Sequence, residues 1–160
     1  MTGRHTRLIV LTVLATMVLS APTFSHQDSR PLTEQQIADL RAYAEDDVET
    51  QFHLGVSYAN GLRVPKDDVE ATRWFRLAAE QGHLGAQEFL GTMYWIGKGV
   101  PQDYVQSHMW LNLAASRLTG EDLEKAVEAR DSVAQMMTPA QIAEAQRLAR
   151  EWEVAHPRES

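Results

Sequence analysis

Gln51 to Ala79 reads QFHLGVSYANGLRVPKDDVEATRWFRLAA, and Gln87 to Ala115 reads QEFLGTMYWIGKGVPQDYVQSHMWLNLAA. Leu54-Gly55, Tyr58, Gly61, Val64-Pro65, Asp67, Val69, Trp74 and Leu77-Ala78-Ala79 recur as Leu90-Gly91, Tyr94, Gly97, Val100-Pro101, Asp103, Val105, Trp110 and Leu113-Ala114-Ala115. The offset from Gly55 to Gly91, 36 positions, holds for every pair without an insertion. A fixed period of this size marks a repeat architecture, in which each unit buries its apolar face only by stacking on a neighbour. Apolar spacing is helical on both sides of the Val-Pro turn, so the unit is helix–turn–helix. Gly61 suits a left-handed helix terminus, Val64-Pro65 prevents continuation, and Asp67 (with Glu70 three residues on) caps the next helix. Asp103 and Gln106 repeat that start.

These residues resemble the Sel1-like repeat family, relatives of the tetratricopeptide repeats. The second copy departs from the pattern where Glu80-Gln81-Gly82 becomes Ser116-Arg117-Leu118, and Ser107 replaces Ala71. The resemblance implies an all-α fold, a short α-solenoid of helix–turn–helix repeats with capping helices at both ends. It implies a scaffold that binds other proteins, with no single activity. The repeats occupy approximately 48–83 and 84–118. Leu54, Gly55, Tyr58 and Trp74, with Leu90, Gly91, Tyr94 and Trp110, are the expected repeat core. The small residues let helices approach and the aromatics fill the space between them.

Before the repeats, residues 1–25 read as a signal peptide. Arg4 and Arg7 precede an apolar run from Leu8 to Leu19, too short for a comfortable membrane span, and small residues follow it. Cleavage is expected after Ser25, which makes the chain periplasmic or secreted; the alternative is an uncleaved N-terminal anchor. Residues 26–32 are a polar leader. The solenoid domain is expected over 33–153, followed by a tail at 154–160. Thr33 and Gln36 form a capping box with Leu32 and Ile37 as its staple, opening a helix to about Ala44 that serves as half of a degenerate repeat. After the second repeat, Thr119 and Asp122 suggest another box, and a charged helix to about Met136. Thr138, Pro139 and Gln141, flanked by Met137 and Ile142, open a last helix to about Trp152. These two helices, over approximately 120–153, form the C-terminal cap. Similar Met-Thr-Pro-x-Gln-Ile endings in bacterial Sel1-like chains point to a bacterial envelope.

Composition narrows the function. The chain has no Cys and a formal net charge of −7. Disulfides and Cys-based zinc sites are excluded, and stability rests on helix packing. Loss of Arg4 and Arg7 takes the mature charge to about −9, which argues against nucleic acid as a partner. Signal cleavage would leave no integral membrane span. No His-Glu-x-x-His, Gly-x-Ser-x-Gly, phosphate loop or dinucleotide fingerprint is present, and His53, His83, His108 and His156 have no second His three or four residues away, so no catalytic residue, metal or cofactor is expected. His53 reads as a surface or edge residue, His83 as a turn residue with a local hydrogen bond, and Asp67 and Asp103 as caps.

The expected function is an exported adaptor that binds a protein segment. The alternatives are a constitutive structural subunit of an envelope complex and an envelope hydrolase. With Leu90, Gly91 and Tyr94 facing the partner helix, the positions around the helix are Glu88, Thr92, Trp95 and Ile96. Their counterparts are Phe52, Val56, Ala59 and Asn60. These two stripes are expected to form a groove, with Trp95 as its anchor. The competing expectation is that the Thr33 helix folds over Trp95 and makes it core.

Overall fold

The computed structural model describes residues 30–157. The signal peptide, its cleavage site and residues 158–160 of the expected tail lie outside that range. Among the described residues there are seven α-helices and no strand. They are α1 (Glu34–Ala44), α2 (Val48–Asn60), α3 (Asp68–Glu80), α4 (Leu84–Ile96), α5 (Tyr104–Ala115), α6 (Gly120–Ala134) and α7 (Pro139–Ala155). Helices α2 and α3 pack as one hairpin and α4 and α5 as the next, joined through α3 against α4. Helix α1 packs on α2, while α6 and α7 both pack on α5. No described helix is long and apolar enough to cross a membrane.

The two turns share one construction. Gly61 and Gly97 end their helices at φ 69° and 68°, in the left-handed region where a side chain is costly. The Asp67 and Asp103 amides then donate back to the Tyr58 and Tyr94 carbonyls, each at 3.0 Å. Asp67 Oδ1 accepts the Val69 and Glu70 amides at 2.9 and 3.0 Å, and Asp103 Oδ1 accepts the Gln106 amide at 3.0 Å. Glu70 does not close a reciprocal box. It pairs instead with Arg41 of α1 at 3.2 Å and with Arg73 at 3.7 Å.

Close helix approach explains the kept glycines inside the helices. A Cβ at Gly55 would lie 2.6 Å from two ring atoms of Phe75, and one at Gly91 would lie 2.7 Å from Leu111 Cγ. Trp74, Phe75, Leu54 and Leu90 are fully buried around these contacts. Tyr58 and Trp110 are buried as well, and Tyr94 is half-buried, its hydroxyl accepting from Arg76 Nη2 at 2.8 Å.

Buried glutamines join one repeat to the next. Gln51 Nε2 donates to the Ala44 carbonyl at the end of α1, at 2.9 Å. Gln87, its repeat counterpart, donates to the Ala79 carbonyl near the end of α3, at 3.2 Å. The end of α1 therefore stands where the second helix of a preceding repeat would stand. Gln81 Nε2 adds a bond to Gln51 Oε1 at 2.8 Å. Arg117 occupies the corresponding position of the second repeat, and Gln87 Oε1 has no hydrogen-bond partner among the described residues.

The end helices follow their capping signals with one exception. The Thr33–Gln36 and Thr138–Gln141 boxes both close. Thr119 is the N-cap of α6, but its hydroxyl makes no cap bond. Gly120 follows at φ 61°, which turns the chain into the helix along a left-handed step, and the Asp122 carboxylate faces Lys125 at 3.7 Å. On α7, Ala145 and Ala149 are buried, and Trp152 meets Trp110 edge-on at 6.2 Å.

Candidate functional site

The first helices of the two repeats, α2 and α4, carry the candidate surface. Their wheel positions are fixed by what must be buried. Gly55 on α2 and Gly91 on α4 face their own second helices, Leu54 and Leu90 are buried beside them, and the buried Tyr58 ring lies under Arg41 of α1. One neighbouring line on α4 is Glu88 and Trp95, both half-buried. The next line is Phe89, Thr92 and Ile96, at the helical spacing of three and four residues. Phe89 is 42% exposed and Ile96 55% exposed, so this second line is the more open one. Its counterparts on α2 are His53, Val56 and Asn60.

Phe52 leads inward from this surface. Its ring stacks on His83 with centroids 4.3 Å apart and tilts against Phe75 and Phe89, each at 5.9 Å. Phe75 and Phe89 stack at 5.0 Å with a 10° interplanar angle. The buried Phe75 thus holds the half-open Phe89 in one orientation, which lowers the entropy a partner would have to remove. Val56 and Ala59 pack against the core, and Asn60 is exposed with its amide donating to the Val56 carbonyl at 2.9 Å.

Polar groups border the aromatic cluster. Glu49 on α2 reaches His53 Nε2 at 3.1 Å through one oxygen and His83 Nε2 at 3.2 Å through the other. His83 is the N-cap of α4: its Nδ1 accepts the Ala86 amide at 3.1 Å. That bond assigns the ring proton to Nε2, which donates to Glu49. On the other side, Glu88 makes no side-chain hydrogen bond or ion pair among the described residues. Burial, with Asp122 of α6 facing it, pushes its carboxyl above the usual carboxylate range, and Lys125 offsets part of that rise.

The expected groove residues are therefore divided between environments. Thr92 and Ile96 lie on the open line of α4. Phe52 is turned against His83 and α4, and Glu88 is turned towards α6. Trp95 is half-buried, with its carbonyl accepting from Gln102 Nε2 at 2.7 Å. Helix α1 does not take the position of a cover over Trp95; it packs at the opposite end, on α2, with Arg41 over the Tyr58 ring. Phe89, Glu49 and the capping role of His83 are additions from the structure. Phe89 could have been singled out as an aromatic standing where the first repeat has His53. No group of three His, Asp or Glu side chains among the described residues could hold a metal ion.

The comparisons agree with this geometry. The family model for the Sel1 repeat matches residues 48–83 and 85–117. The chain carries two Sel1 repeats. Its structure is similar to that of a protective antigen from uropathogenic Escherichia coli strains, described as displaying an SLR fold, with 28% identity and a TM-score of 0.73. That match covers 92% of this chain but 30% of the antigen, so this chain spans under a third of its length. A Sel1 repeat protein from Oxalobacter formigenes is also similar in fold, with 20% identity and a TM-score of 0.59, over 91% of this chain and 58% of that one. No curated protein matches the sequence. Sel1 repeats generally serve as protein-interaction scaffolds, typically without catalysis, and protein is the partner class they suggest.

Proposed function

We propose that this Sel1-like repeat protein is an exported adaptor of the bacterial envelope. It receives a segment of another protein along the first helices of its two repeats. The observation that carries this reading is the open line of Phe89 and Ile96 on α4, with Phe89 held from behind by the buried Phe75. An aromatic anchor already fixed in place is the usual centre of a binding hot spot. Thr92 lies between Phe89 and Ile96 on the line, Trp95 flanks it, and Val56 and Asn60 extend it onto α2. Support for export comes from the Arg4/Arg7 and Leu8–Leu19 pattern of the sequence.

The test is comparative capture from a native envelope fraction. The wild-type chain and its Phe89→Ala and Ile96→Ala variants are used as bait, and captured proteins are quantified by mass spectrometry. A partner held by the wild type and lost from both variants, with both variants still folded and unfolding cooperatively, is the expected result. Equal recovery with all three baits refutes the site. Retention of an unprocessed N-terminus in the cytoplasm refutes export.

A further inference from the structure

We infer that the segment received on α2 and α4 is a basic one, with a lysine or arginine side chain that pairs with Glu88 while its apolar neighbours cover Phe89 and Ile96. This rests on the groove reading above and adds the chemistry of the partner. The first argument is the state of Glu88. It is half-buried and has lost part of its hydration, yet its carboxylate makes no hydrogen bond or ion pair among the described residues. The carboxylate that faces it, Asp122, is of the same sign, and the nearby cation, Lys125, is already shared between Glu121 at 2.9 Å and Asp122 at 3.7 Å. An arriving cation would supply what the fold withholds.

The second argument is the charge around the aromatic cluster. Glu49 borders it on the α2 side, where its carboxylate is held by His53 and His83. Glu88 directly precedes Phe89 on α4 and faces Asp122 of α6, and Glu121 stands one residue before Asp122. The whole chain carries a formal charge of −7. A cation beside an apolar anchor complements this frame, whereas an acidic segment would add a third carboxylate beside Glu88 and Asp122.

Three pools of short synthetic peptides test the inference. All share the same spacing of Leu and Phe, and their remaining positions are Lys/Arg, Glu, or Ser/Gln. Binding to the full chain is read by fluorescence anisotropy at low and high salt. The basic pool is expected to bind tightest, by about tenfold over the acidic pool at low salt, and to lose part of that lead at high salt. Glu88→Gln should remove most of this preference while leaving the neutral pool unaffected. Phe89→Ala should weaken all three pools. Equal binding of the pools, or a basic preference that survives Glu88→Gln, overturns the cation pairing but leaves the groove intact. Indifference of every pool to Phe89→Ala, or no binding by any pool, overturns the groove reading and the inference with it.

Discussion

Replacing Gly55 by alanine sets two opposed effects against each other, and the structure decides between them. In a helix interior, Gly→Ala is favourable by roughly 1 kcal/mol from backbone entropy and propensity. Here the new Cβ would lie 2.6 Å from Phe75 Cδ1 and Cε1, far inside ordinary contact. The ring cannot swing aside. It is fully buried, stacked on Phe89 at 5.0 Å and blocked by Phe52 at 5.9 Å. Overpacking of this kind costs up to ~3 kcal/mol. The net expectation is destabilisation by ~2 kcal/mol, or roughly 6–10 °C in melting temperature for a domain of this size. Gly85→Ala is the control. Its Cβ would meet the His83 and Phe52 rings at 3.3 Å, an encroachment that a shift of a few tenths of an ångström relieves, against 2.6 Å at Gly55. That variant should melt no lower than the parent. Melting followed by circular dichroism measures both, and Phe75→Leu in the Gly55→Ala background should recover part of the loss. A Gly55→Ala protein that melts at or above the parent refutes the close approach of α2 and α3.

Other expectations can be checked in the same way. Arg117→Gln should give Gln87 Oε1 the donor that Gln81 gives Gln51, raising stability by about 1 kcal/mol; Arg117→Ala, which adds no donor, should not. Trp74→Ala should cost roughly 3–5 kcal/mol, the usual range for a deleted buried aromatic, measured by denaturant titration. Deleting Thr138 to Ser160 should uncover Trp110 and produce aggregation or a loss of cooperative unfolding, visible by light scattering during a melt. His108 is buried on α5, and burial with Arg130 nearby holds its imidazole below its usual value of 6.5. The unfolded chain therefore takes up that proton first. Stability should fall as pH drops below about 6.5, by at most ~1.4 kcal/mol per pH unit, until the folded imidazole itself protonates. His108→Gln should flatten that part of the curve.

The repeat was legible because two copies of one pattern can be laid over each other, and the kept residues are those with the least steric freedom. Gly55 and Gly91 touch a facing side chain, and Gly61 and Gly97 need positive φ. The Thr33 and Thr138 caps were legible because a capping box is a local event. The Thr119 cap was not, because the left-handed step at Gly120 breaks the local geometry that the pattern assumes. The candidate surface was legible only to within one residue around the helix. Which line of α4 stays open depends on the rotation between successive elements. That rotation follows from contacts such as Phe52 on His83 and α6 beside Glu88, which join residues far apart in sequence. The support of Phe89 is hidden from the local pattern for the same reason: Phe75 belongs to the preceding repeat.

The glutamine clasp has a consequence for how such chains grow. Gln51 and Gln87 each grip a main-chain carbonyl of the preceding helix, not a side chain. A carbonyl is present whatever residue stands there. The joint is therefore indifferent to the sequence it joins, and a duplicated unit would find its socket already in place. Genes built on such a joint can lengthen by copying, each new copy needing only its own glutamine and a helix end before it. A relative more than three times as long is the kind of chain that this permits.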